Sequence, residues 1–329
     1  MRAILVTLHH RTNTLSYVNR KQQQRGVAVV TALLLTTLAV TIVASVFWQQ
    51  QVQMRAVENQ RSQSQTQWVM RAALDWTRII LREDARTTAV DQLGESWAIP
   101  LPETPLDDYL EDSGNHAQEV GGTLSGYVID AQSRYNLTNL AEGGVVNPQE
   151  LAVFRHLLGF LGINPNLAEA TASAISATQL PAGASPPSPE ADSSHNQPAS
   201  FIHNEDLITI PGYTAEIIEK LKNYVVILPA PTAVNVNTAN REVLAAKANL
   251  PLDKAGSLIA SRAHAYFVDT KDFQNRAQAD VPLGDNDLSV NTHYFLVFDK
   301  VKWDRANLNM QALIYRKDTG NTTVKWLRQ

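Results

Sequence analysis

The first strong pattern in the chain is an apolar run without a single charge, the 21 residues from Val27 to Phe47. As a helix rising 1.5 Å per residue it would measure roughly 32 Å, the thickness of a bilayer core. Residues 49–67 are polar but contain no Pro or Gly, so nothing in them stops a helix. Trp68, Val69, Ala72, Ala73, Trp76, Ile79 and Ile80 then recur at helical spacing, which predicts an apolar stripe against a core. The expectation is one spine helix from about Val27 to about Leu81, first lipid-facing and then amphipathic. Pro100, Pro102 and Pro105 mark irregular chain after it.

The period then shortens. Leu124 to Asp130 and Tyr135 to Leu140 read as short strands, and His293–Trp303, Leu308–Arg316 and Thr322–Leu327 as an antiparallel meander. In the second of these, Leu308, Met310, Ala312 and Ile314 fall on one face. Between the strand groups, Pro148 to about Asn275 is almost wholly helical in pattern. Leu151, Phe154, Leu158 and Leu161 form one stripe, and Leu167 to Thr178 is an alanine-rich helix. Residues 179–200 hold five prolines and are expected to be a disordered linker. Asn204 is the expected cap of a short helix ended by Pro211-Gly212, Thr214 starts the next, and Thr238 is the expected cap of a helix at Arg241. The fold class these elements predict is α+β: a long N-terminal helix, an antiparallel sheet and a large α-helical region.

Charge sets the direction of the first element. Residues 1–26 carry Arg2, Arg11, Arg20, Lys21 and Arg25 and no acid, so they stay cytoplasmic under the positive-inside rule and everything after Trp48 crosses the membrane. The remainder has 23 bases against 32 acids, a balance that repels phosphate backbones and argues against a nucleic-acid partner. Without cysteine there is no disulfide, thiolate metal site or thiol nucleophile.

Basic residues, then Gly26, then an apolar helix with no Ala-x-Ala site resemble the class III leader of type IV pilins and type II secretion pseudopilins. That resemblance implies cleavage by a prepilin peptidase after Gly26 and methylation of Val27. Most pilin-like subunits carry Glu at the fifth mature position, where this chain has Thr31; the general secretion pathway K proteins, minor pseudopilins, typically lack that Glu. D-A-Q-S-R-Y-N-L-T-N-L, Asp130 to Leu140, is similar to their D-x-Q-x-R-x-N-L-N-x-L segment. I-P-G-Y-T-A-E-I-I and V-N-V-N-T-A-N-R-E-V-L-A-A are similar to the middle of their α-domain. The chain is thus identified as a member of that family. The resemblance implies a pilin-like fold with a helical domain inserted in its sheet, a place at the tip of the periplasmic pseudopilus, and the I and J minor pseudopilins and other pseudopilins as partners. The segments are then 1–26 leader, 27–48 transmembrane, 49–147 spine continuation and first strands, 148–275 helical insert, and 276–329 last strands.

Calcium has been associated with some family members, but the segment from Ala174 through the linker is carboxylate-poor here and disfavours it. Asp280, Asp285 and Asp287 are weak candidates for hard oxygen ligands, against a solvated loop. The rival function is a membrane-anchored helix-hairpin-helix DNA receptor, because I-P-G-Y and N-V-N-T-A also resemble such hairpins. Neither has the full Gly-hydrophobic-Gly turn, and bases and acids cancel from Asn204 to Arg276. An enzyme is not expected: there is no Gly-x-Ser-x-Gly, His-Glu-x-x-His or phosphate-binding glycine loop, and the histidines are scattered.

Overall fold

The computed structural model describes residues 24–106, 122–179, 199–278, 287–304 and 306–329. The expected linker lies almost wholly outside them. Two compact units are distinguished, Met1–Arg61 and Ser62–Gln329.

In the first unit the chain is the opening of helix α1 (Gln24–Thr87), and its side chains from Gly26 to Arg61 are exposed. It is one helix long and apolar enough to cross a membrane, with a mean hydropathy of 2.5 in its most apolar window. Thr31, Thr36, Thr37 and Thr41 each donate their hydroxyl to a carbonyl three or four residues back, so these polar groups are satisfied inside the helix.

In the second unit α1 continues to Thr87, beyond the expected end at Leu81. Its buried row is Thr66, Met70, Ala73, Leu74 and Leu81. The expected stripe is corrected here: Val69, Ala73 and Ile80 turn inward, but Ala72, Trp68, Trp76 and Ile79 are exposed. The sequence offers two neighbouring apolar rows, and spacing alone does not say which one the sheet covers.

That sheet has five strands, β1 (Leu101–Pro105), β2 (Gly122–Asp130), β9 (Tyr294–Trp303), β10 (Ala306–Arg316) and β11 (Thr322–Arg328), in this spatial order and antiparallel throughout. One face packs Phe295, Val297, Val301, Met310, Ala312 and Ile314 against the α1 row, with Leu308 at its margin, as the alternation of β10 predicts. The other face is smaller in its apolar content, Leu296, Leu313 and Tyr294 with Val226 and Leu228. A bulge in β11 sets Val324 opposite Ile314 and Trp326 opposite Leu313, so two residues of like parity serve opposite faces.

The helical region enters from the end of β2 and leaves at the start of β9. It holds α2 (Pro148–Phe160), α3 (Leu167–Thr178), α4 (Ala215–Leu221), α5 (Arg241–Lys247), α6 (Leu252–His264) and α7 (Thr270–Ala277), with a 3₁₀ turn at Asn204–Thr209. Six short strands, β3 (Tyr135–Asn136), β4 (Ala141–Glu142), β5 (Val145–Val146), β6 (Val225–Val226), β7 (Val234–Asn235) and β8 (Leu288–Ser289), pair in twos around them. The core runs from Phe154, Leu157 and Leu158 of α2 through Leu207, Leu221, Val243 and Leu244 to Phe267 and Phe273. Tyr135 to Leu140 is therefore not one strand: after two paired residues Leu137–Leu140 closes into a 3₁₀ helix, with Asn136 accepting from the Thr138 N–H. The expected caps also divide. Thr214 accepts from Ile217 N–H, whereas Asn204 donates to the Val225 carbonyl and Thr238 to a carboxylate in the joint.

Candidate functional site

Two of the segments singled out by their sequence, Asp130 to Leu140 and V-N-V-N-T-A-N, meet at the joint between the sheet and the helical region. Asp130 closes β2, and its buried carboxylate collects the Gln132 N–H at 2.7 Å, the Asn235 amide at 2.9 Å and the Thr238 hydroxyl at 2.5 Å. Burial pushes its carboxyl up to about 6, against the pull of the Thr238 hydrogen bond. Gln132 bridges in both directions, donating to the Ala233 carbonyl and accepting from the His293 N–H. Asn136 donates to the Ala230 carbonyl and accepts from the Leu228 N–H, while Asn139 exchanges two bonds with the backbone of Thr232. Asn235 and Asn237 return the contact from the other side: Asn235 donates to the Asp91 carbonyl, and Asn237 exchanges two bonds with the backbone of Phe267. These amides are buried, and each of their nitrogens and oxygens has a hydrogen-bond partner, which is what a buried polar side chain requires.

Two buried charge clusters flank the joint. Arg316, at the end of β10, donates to both oxygens of Asp91 at 2.5 and 2.7 Å, to Asp84 at 2.7 Å, and to the Thr292 carbonyl at 3.0 Å, with Phe295 under its guanidinium. It therefore ties the end of α1 to the start of β9. Burial pushes Asp84 up to about 6 and Asp91 upward as well, and Arg316 opposes both shifts. Lys247 is buried between Glu150 of α2 and Asp287, the latter at 3.0 Å. Neither cluster was legible as such; a basic residue inside an apolar strand or helix, as in A-L-I-Y-R and L-A-A-K, is the only trace they leave in the sequence.

As metal candidates the acids fare differently. Asp287 is held by an ammonium, and Asp280 and Asp285 lie outside the described residues. Asp84, Asp91 and Glu95 come close enough to surround an ion, but the Arg316 guanidinium already pairs with the first two. Glu95 accepts from the Thr88 hydroxyl, the Gln92 N–H and the Trp97 indole.

The hairpin-like units serve packing. Gly212 sits at φ +97°, and a Cβ there would stand 2.8 Å from Leu167, so the I-P-G-Y turn needs glycine for close approach to α3. Tyr213 is buried against the Thr171 hydroxyl at 2.7 Å. Five of the eight bases from Asn204 to Arg276 are engaged: Lys247 as above, Arg262 with the carbonyls of Val236 and Ala239, Arg276 with Asp272, Arg241 with Glu242 and Lys222 with Glu219.

At the other end of the chain Gly26, Val27 and Thr31 lie on the first turns of α1, all exposed. Among the described residues, nothing lies within 4 Å of where a Cβ at Gly26 would sit. The Thr31 hydroxyl is given to the carbonyls of Val27 and Ala28, both at 3.0 Å.

Comparison with known proteins agrees with this layout. Residues 133–230 and 234–291 match two family profiles, each described as type II secretion system (T2SS), protein K. The type II secretion system protein K of Pseudomonas aeruginosa is 28% identical over 321 residues, 91% of each chain. That of Aeromonas hydrophila is 24% identical, over 83% of this chain and 87% of its own. Among solved structures, a chain of the GspK-GspI-GspJ complex from the enterotoxigenic Escherichia coli type 2 secretion system matches with a TM-score of 0.59 and 18% identity. The match covers 83% of this chain and 98% of that one, a likeness of fold.

Proposed function

The chain belongs to the type II secretion system protein K family, and from that premise we propose that it is a minor pseudopilin capping the tip of the periplasmic pseudopilus. In this reading α1 is a single-pass anchor in the bacterial inner membrane, residues 1–26 are a cytoplasmic leader, and the chain beyond Trp48 is periplasmic. A prepilin peptidase removes the leader after Gly26 and Val27 becomes an N-methylated terminus. The I and J minor pseudopilins and the other pseudopilins are its partners; the similar solved chain comes from a GspK-GspI-GspJ complex. The role is structural rather than enzymatic.

The observation that carries the reading is the architecture. An apolar N-terminal helix leads into an antiparallel sheet whose β2 and β9 are neighbours in space yet flank the whole helical region in sequence. Two features of α1 support the finer points. Among the described residues nothing packs against Gly26, which leaves it open to a peptidase. Thr31 has no carboxylate and turns its hydroxyl onto its own helix, so it cannot neutralise the terminal amine of a subunit above it in lipid. A topmost subunit has no such neighbour to serve.

The test is the mass of the mature N-terminus from membranes containing a prepilin peptidase. A chain starting at methylated Val27 is expected. Gly26→Ala should still be cut and a bulky residue there should not. An intact leader, or a start beyond Phe47, overturns the reading.

A further inference from the structure

The segment Asp130 to Leu140 packs its polar side chains into the joint, and nearly every one has a structural partner. Asp130, Gln132, Asn136 and Asn139 hold the bonds described above. The Ser133 hydroxyl donates to the Asp130 carbonyl, the Tyr135 hydroxyl to the Glu150 carbonyl and the Thr138 hydroxyl to the Leu228 carbonyl. Arg134 is the exception. It is 8% exposed, yet its guanidinium donates to no acceptor and pairs with no carboxylate among the described residues. The nearest acid, Asp130, has both oxygens taken by Gln132, Asn235 and Thr238. Asp130 attracts the guanidinium without bonding it, while burial holds its pKa below the usual arginine value, so the cation keeps its hydrogen-bond donors for a carboxylate from outside.

Arg134 lines a groove of about 690 Å³ between the sheet face remote from α1 and the Asn204–Leu221 hairpin. Its walls are Ile202, Ile208, Ile218, Leu296, Phe298 and Trp326. Ile202 and Ile208 leave about half of their surface exposed, an apolar lining that water covers poorly. The other bases at the groove are already paired, Lys222 with Glu219 at 3.4 Å and Arg328 with Glu205 at 3.5 Å. The groove thus offers apolar walls, polar positions that include Glu205 and Glu219, each facing its own base, and one guanidinium with no bonded partner, whose planar fork matches a carboxylate in two parallel hydrogen bonds.

We propose that this groove is a docking site for a segment of a partner protein in which an Asp or Glu is flanked by apolar residues. Arg134 takes the carboxylate and the isoleucine walls take the flanks. The proposal goes beyond the capping role and stands or falls independently of leader processing.

The test uses the full chain in detergent and two blocked five-residue peptides, one with glutamate between leucine and valine residues and one with glutamine in its place. Binding is followed by the emission of Trp326, with Trp326→Phe as the optical reference. The glutamate peptide is expected to bind about tenfold more tightly, the scale of one charge-assisted pair. Arg134→Gln should erase that preference and Arg134→Lys should keep part of it. If Arg134→Gln does not fold, Ile208→Glu, at an exposed wall, should block the glutamate peptide while leaving near-ultraviolet dichroism unchanged. Equal binding of the two peptides, a preference that survives Arg134→Gln or Ile208→Glu, or no binding of either at millimolar concentration overturns the proposal.

Discussion

The long contact of the sheet with α1 and the joint at the sheet's end are held by different physics. Toward α1 the contact is hydrocarbon: Met70, Leu74 and Leu81 against Phe295, Val297, Val301 and Ile314. At the joint with the helical region, beyond the end of that row, buried amides, carboxylates and a guanidinium carry the contact, each with named partners. Apolar area is non-directional and would tolerate a slid or rotated helix at modest cost. Donors that must each meet one acceptor would not, because a shift leaves several unsatisfied at once. The sheet is therefore covered by area along α1 and indexed by hydrogen bonds at its joint with the helical region.

The largest break in that contrast should come from Arg316→Met. It keeps the volume but leaves Asp91 buried without its cation, and a loss of about 3–5 kcal/mol is expected in urea unfolding at pH 7.5. The next test sharpens the apolar side, which holds one misfit. Asp299 lies in the α1-facing row of β9, 8% exposed, over Gly126, where a Cβ would stand 2.1 Å from its Oδ1. Its Oδ2 is buried with no partner, and burial pushes the carboxyl up to about 6 from 3.8. The charged form is thus penalised by about 3 kcal/mol above pH 6, and the penalty fades as pH falls from 6 toward 3.8. Asp299→Asn should stabilise the protein by about 2 kcal/mol at pH 7.5, less than the full penalty because the amide is left without a partner, and by much less at pH 4.5. A wild-type-like stability at pH 7.5 would show that the carboxylate is not paying for its burial. Smallest should be Thr238→Val, which removes one donor to Asp130 and should cost about 1–2 kcal/mol, visible as a lowered urea midpoint with unchanged slope.

How much of this was legible follows the same division. Period and charge found α1, β2, β9, β10, β11, α2 and α3 because each buries a periodic apolar row. They misjudged Tyr135 to Leu140, where alternation was overruled by Asn136 accepting from the Thr138 N–H, and on α1 they merged two neighbouring apolar rows of which the sheet covers one. The joint was visible only as motifs without a mechanism. Asn235 and Asp130 are 105 positions apart, and no local rule tells a side-chain amide that its acceptor waits there. Thr238 was misread for that reason, its hydroxyl going to a distant carboxylate instead of the nearest helix end.

The placement of β2 beside β9 also sets an order of events. These strands pair along their length, Asp130 with Phe295 through Gly122 with Trp303, yet residues 131–293 separate them. Closing a random coil of that length would cost roughly 4 to 5 kcal/mol in chain entropy before the first pair forms. If the helical region folds first, it delivers both ends of that coil to one place, with Gln132 already bonded to the His293 N–H beside the first strand pair. The sheet then zips from that point at little entropic cost. The helical region would in this way act as an internal template, and the rate at which the sheet matures would be set by the slowest helix packing rather than by strand search.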